Sequence, residues 1–106
     1  MTPLQESCIE FLFNPKADGF IWKDATSYSR DQKERIPTAF STKVGGIEIY
    51  ITHSHVMYKP EWIFHCRELG FDTKPIGKDL TAFEAAIKAL VTCRDKAKSI
   101  YESFNL

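Results

Sequence analysis

The stretch from Ala39 to His53 constrains the fold more than any other part of the chain. Two runs, Ala39–Val44 and Ile47–His53, flank Gly45-Gly46. A two-residue hairpin turn needs positive φ at its centre, which glycine adopts without steric cost. The spacing therefore predicts an antiparallel hairpin. Side chains alternate along a strand, so Ile47, Ile49 and Ile51 share one face with His53 and, if the strand runs on, with His55. Glu48, Tyr50 and Thr52 take the other. The isoleucines make the first face the core face, and a sheet of this kind must bury it against another element.

The C-terminal segment supplies that element. Thr81-Ala82-Phe83-Glu84 fits a capping box. Behind it Phe83, Ala86, Leu90, Cys93, Ala97, Ile100, Tyr101 and Phe104 recur every three or four residues, as in an amphipathic helix. Glu84 and Lys88 stand four apart in the favourable order on its polar side. A second, shorter helix is predicted over Pro3–Phe13, with Thr2 as N-cap and Pro3 in the first turn. Leu4, Cys8, Phe11 and Leu12 form its apolar face, and Asn14-Pro15 ends it.

Between these elements, Ala17-Asp18-Gly19 reads as a turn and Phe20–Ala25 as a strand. The polar run TSYSRDQKERIP reads as a long loop, or as one or two helical turns beginning near Ser29, ended by Pro37. A polar connection with Lys59-Pro60 leads to a strand over Glu61–Arg67. Glu68-Leu69-Gly70 is a turn, and Phe71–Ile76 a further strand or an extended connector. Strands and helices do not alternate, which predicts an α+β domain. A small antiparallel sheet of three to five strands, with a mixed sheet as the alternative, packs against the long C-terminal helix. The short N-terminal helix covers one face or the other. The 106 residues form a single domain.

Composition narrows the function classes. Lys plus Arg and Asp plus Glu both number 14, so the chain lacks the basic excess of a strongly electrostatic nucleic-acid binder. Cys8, Cys66 and Cys93 are far apart and outside any CxxC, which suits free thiols in a reducing compartment. The first residues lack the basic n-region of a secretory signal and carry Glu6 and Glu10. No apolar run approaches the ~20 residues that span a bilayer. The expectation is a protein of the cytoplasm, or of a host cell's cytoplasm, without membrane contact.

The histidines were weighed as ligands. His53 and His55 form a His-x-His pair that could project to one side and take a third ligand such as Asp72 or Cys66. Strand parity places Trp62, Phe64 and Cys66 toward the core and Ile63, His65 and Arg67 outward. His53 and His65 are then expected on opposite sides of the sheet, unable to share a metal. Cys8, Cys66 and Cys93 all fall on apolar faces, where a thiol packs as a small hydrophobe. Gly45-Gly46 leads into a strand, without the helix that a phosphate loop needs. No cofactor, metal site or catalytic constellation is expected.

The outer sheet face is the candidate binding surface, displaying Lys23, Tyr50, Ile63, His65 and Arg67. Its aromatic and basic groups could stack bases and contact phosphates of single-stranded nucleic acid. Arg94-Asp95-Lys96-Ala97-Lys98 adds positive charge that also suits the end of a helix. The mixed-charge run Arg30–Arg35 reads as a solvated stretch or a docking loop. With 8 Phe, 4 Tyr and 2 Trp, some aromatics are expected at an interface, where they are enriched. The first expectation is a non-enzymatic accessory or inhibitor protein that binds another macromolecule, a protein before all others. The alternative is a nucleic-acid-binding domain using the outer face. A third is a metal- or thiol-dependent enzyme built on His53, His55, His65 and Cys66. Homodimer formation through unpaired strand edges fits the first.

Overall fold

A computed structural model describes residues 2–28, 30, 35–53 and 61–104. Helix α1 (Pro3–Phe13) precedes two short strands, β1 (Lys16–Ala17) and β2 (Phe20–Ile21), then β3 (Lys23–Asp24), β4 (Ala39–Val44), β5 (Ile47–His53), β6 (Glu61–Cys66), a 3-10 turn at Arg67–Leu69, β7 (Phe71–Lys78) and α2 (Ala82–Phe104). β3-β4-β5-β6-β7 form one sheet in sequence order, antiparallel throughout, and β1-β2 pair separately. The domain is thus α+β, a small antiparallel sheet packed on a long C-terminal helix.

The β4–β5 hairpin has the expected register, with Val44 opposite Ile47 and Ala39 opposite Thr52. Gly45 sits at φ +63°, which a two-residue turn requires. Asp18 and Gly19, at φ +50° and +84°, make a second tight turn. The turn read at Ala17–Gly19 is therefore a full hairpin. The strand expected over Phe20–Ala25 is broken in two at Trp22, whose amide donates to the Pro15 carbonyl at 2.7 Å while the indole is buried. That bond draws the chain off the straight path between β2 and β3.

Burial follows the alternation. Ile49, Ile51 and His53 of β5 are buried with Trp62, Phe64 and Cys66 of β6. α1 lies on this same face: Cys8 and Phe11 join the core, and the Phe11 ring meets Phe40 edge-on at 4.9 Å and Trp22 at 6.3 Å. α2 packs beside it. Its N-cap forms as expected, the Glu84 amide donating to the Thr81 hydroxyl at 3.1 Å and the Thr81 amide to the Glu84 carboxylate at 3.0 Å. Thr2 and Gln5 exchange the same two bonds at α1.

Four expectations need correction. β6 ends at Cys66, and Arg67 opens a 3-10 turn that closes on Gly70 in the left-handed region. β7 runs on to Lys78 across two register shifts. On α1, Leu12 is exposed and Ser7 buried, because the Ser7 hydroxyl donates to Leu4 O at 2.8 Å and accepts from the Ala82 amide at 3.2 Å, linking the two helix starts. The largest correction concerns α2, where the residues against the sheet are Ala82, Ala85, Ala86, Ala89, Leu90 and Cys93. Phe83 is half exposed, and from Lys98 onward every described residue of the helix is exposed. Alanines let the helix axis approach the sheet closely; the bulkier stripe continues past the sheet's end. The Thr81 hydrogen bonds and, after them, the charge of Lys88 four residues on hold the Glu84 carboxyl below its usual range, and Lys88 also donates to the Ile76 carbonyl of β7 at 3.1 Å.

Candidate functional site

Three regions of the surface carry chemistry. The first is the outer sheet face. Cross-strand pairing sets Lys23, Ser41, Tyr50 and His65 in one row. Tyr50 and His65 are half-buried and their rings lie 5.5 Å apart at 52°. The His65 Nδ1 accepts the Thr73 amide at 3.2 Å. The Asp72 carboxylate lies 3.5 Å from the same nitrogen. Ile63 sits one row along, opposite Thr52 and Pro75, and half-buried. Arg67 is exposed on the 3-10 turn, beyond the strand's end. Of the five residues read from sequence, Lys23, Tyr50, Ile63 and His65 thus share the outer sheet face, and Arg67 stands on the turn beyond it. Glu48 stands on the same face, exposed, and Asp72 borders it.

The second region surrounds His53. The ring is only 4% exposed, edge-on to Trp62 at 4.8 Å and 71°. Its Nε2 lies 3.6 Å from Cys8 Sγ. Sequence parity had put His53 on the core face; the thiol across from it, 45 residues away on α1, carried no sequence signal. Burial pushes the Cys8 thiol up to about 11, with the Ser7 hydroxyl pulling weakly the other way. The thiol therefore stays protonated at neutral pH, 3.6 Å from the imidazole nitrogen. Such a pair packs a core and lacks the thiolate that a nucleophile requires. A cleft of about 490 Å³ opens beside it between the starts of α1 and α2, lined by Pro3, Leu4, Ser7, His53, Trp62 and Leu80 among others. Several helix-start amides beside it are engaged: those of Gln5, Ala82 and Glu84 bond to side-chain oxygens, and those of Glu6 and Ala85 to carbonyls.

His53 points into the core and His65 away from it. Among the described residues no three His, Cys, Asp or Glu side chains gather as a metal would need. His55, the helical turn near Ser29, the connection at Lys59-Pro60 and most of Arg30–Arg35 lie outside the described residues. Cys66 and Cys93 are both buried free thiols; burial first, and the neighbouring Cys66 thiol second, raise Cys93 to about 12.

These raised values fix a sign. The folded state holds the Cys8 proton up to about 11, whereas the unfolded thiol releases it from 9.0. The contribution to stability is fully present below pH 9 and is lost as pH climbs through 11. The urea midpoint is expected to fall over that interval and to stay level on this account between pH 7 and 8.5. At pH 8 iodoacetamide should alkylate native Cys8 about 100-fold more slowly than the unfolded chain, two pH units at a factor of ten each. Comparable rates would refute the buried, protonated thiol.

The third region lies at the opposite end of the core and was not read from sequence. Asp18 and Phe20 of the small hairpin, Val44 and Ile47 beside the Gly45-Gly46 turn, Leu69, and Leu90, Cys93 and Ala97 of α2 line an apolar cleft of about 260 Å³. Arg94 meets Asp18 at its rim, 3.9 Å apart. Just beyond, α2 presents Ile100, Tyr101 and Phe104, the last two 73% and 81% exposed. These continue the face that is buried at Leu90 and Cys93. The sequence showed the stripe; it could not show that the sheet stops short of its end.

No protein-family model matches the chain, and neither a curated protein nor a solved structure matches it. No described helix is long and apolar enough to cross a membrane.

Proposed function

We propose that this domain is a non-enzymatic interaction module that binds another protein through its apolar end, the cleft bordered by Phe20, Ala97 and the exposed part of α2. The observation that carries this reading is the unbroken apolar face of α2. It is core at Leu90 and Cys93 and open to water at Ile100, Tyr101 and Phe104. Large exposed aromatics beside an apolar cleft are the usual anchors of protein interfaces. The balanced charge of the chain favours such a partner over a polyanion.

A photoreactive benzoylphenylalanine placed at Tyr101, and separately at exposed Glu10, tests this in extract from cells that make the protein. Protein adducts are expected from position 101 and not from position 10. No protein adduct from position 101 overturns the reading. The alternative, single-stranded nucleic acid on the outer face, draws support from the adjacent Tyr50 and His65 rings in line with Lys23. The same probe at Tyr50 would then give a nuclease-sensitive adduct.

A further inference from the structure

We infer that the cleft between the starts of α1 and α2 binds a small organic cation, an apolar ring or short chain that carries one protonated amine. This site is separate from the apolar end. Its volume, about 490 Å³, falls within the ~300–1,000 Å³ of small-molecule pockets. Leu4 and Leu80 give it apolar walls, and the His53 and Trp62 rings, edge-on to each other at 4.8 Å, line it as well. Hydrogen bonds hold these walls in place. The Trp62 indole donates to the Leu80 carbonyl at 2.8 Å, and Ser7 ties the two helix starts by accepting the Ala82 amide. A ligand entering here finds a preformed cleft, so little ordering opposes binding.

Charge selects the occupant. Besides His53, Asp79 is the one titratable side chain among the described lining residues. It is exposed and joins no ion pair among the described residues. Glu6 and Glu84, in the first turns of the two helices, add negative charge nearby. Lys78, the adjoining base, pairs across the sheet with Glu61 and does not line the cleft. An ammonium brings three donors and no acceptor. The cleft answers with the Asp79 carboxylate and with the hydroxyl oxygens of Thr2 and Thr81, each of which accepts one amide and keeps a second lone pair. The positive ends of two helices would draw an anion. The carboxylate repels one, however, and the amides of Gln5, Ala82 and Glu84 are already bonded to side-chain oxygens.

Phenethylamine, phenethyl alcohol and phenylpropionate share a ring and differ in charge. Titrating each into the isotope-labelled full chain at neutral pH, followed by nuclear magnetic resonance, tests the inference. The indole N–H signal of Trp62 reports the cleft, and that of Trp22, which does not line it, is the reference. Phenethylamine is expected to shift the Trp62 signal saturably in the millimolar range, the alcohol to bind more weakly, and phenylpropionate to leave the signal in place. Asp79→Asn suits the left-handed backbone at this position, φ +57°, which Asn adopts as readily as Asp. It should raise the phenethylamine dissociation constant about two- to fivefold, the worth of an exposed ion pair, and leave that of the alcohol unchanged. A Trp62 signal unmoved by phenethylamine to about 50 mM overturns the site. Equal or tighter binding of the alcohol or of phenylpropionate, or an Asn variant that binds the amine like the wild type, overturns the cation. The wild-type series decides alone if the variant does not fold.

Discussion

Trp62→Ala is expected to lower the unfolding free energy by about 3–5 kcal/mol, a large part of the ~5–15 kcal/mol available to a domain of this size. Trp62 is 1% exposed near the start of β6, between β5 and β7. Its indole N–H donates to the Leu80 carbonyl at 2.8 Å, so the deletion opens a cavity and also strips the donor from the chain entering α2. The neighbouring strand is shaped for this arrangement. Trp62 pairs with Gly77, at φ +143°, and a Cβ at that position would stand 3.0 Å from Leu80 Cδ1. Leu80 occupies the space that glycine leaves free, within reach of the tryptophan. Trp62→Phe keeps most of the volume and should cost the hydrogen bond and a smaller void, roughly 1–3 kcal/mol. Urea unfolding followed by far-UV circular dichroism measures both. An alanine variant with the midpoint of the wild type would refute Trp62 as the link between sheet and helix.

Ala86→Leu should destabilise by about 1–3 kcal/mol, and Phe83→Ser by no more than about 2 kcal/mol although it deletes a whole aromatic ring. This ordering inverts the hydrophobicity of the two sites. Ala86, with Ala82, Ala85 and Ala89, is fully buried where α2 meets its neighbours, leaving no room for a larger side chain. Phe83 is 50% exposed, so losing its ring gives up only half of what a fully buried ring contributes. Thermal unfolding resolves the difference, since 1 kcal/mol shifts the midpoint of a domain this small by several degrees. If Phe83→Ser proves the more damaging, the rotation of α2 on the sheet is wrong.

Much of this architecture could be read from residue patterns because local rules fix it. Gly45-Gly46 sets the β4–β5 register, and from that register alternation places Ile49, Ile51 and His53 inside and Tyr50 outside. Both helix starts follow from threonine caps, at Thr2 and Thr81. What escaped has a common cause: it depends on where separate elements end relative to one another. The α2 periodicity marks Ala86, Leu90 and Cys93 of the buried face, but it puts Phe83 there in place of Ala82, Ala85 and Ala89. Only the sheet's extent decides that Ile100, Tyr101 and Phe104 on that face stay in water while small Ala82, Ala85 and Ala89 carry the close packing. The apposition of Cys8 and His53 needs α1 to lie on the core face, a choice open in the sequence. The break at Trp22 is made by a bond to Pro15, seven residues back, and a strand pattern holds no trace of it. Arg67, placed outward by parity, left the row when the strand gave way to a 3-10 turn.

The last strand bears on what kind of assembly this chain can form. β7 is an outer strand of the sheet, yet its ladder is interrupted twice, Pro75 has no amide hydrogen to offer, and the Ile76 carbonyl already holds the Lys88 ammonium. At the other border β3 spans only Lys23–Asp24. Neither described margin offers an incoming strand a long regular ladder, so extension of the sheet from copy to copy is disfavoured at both edges.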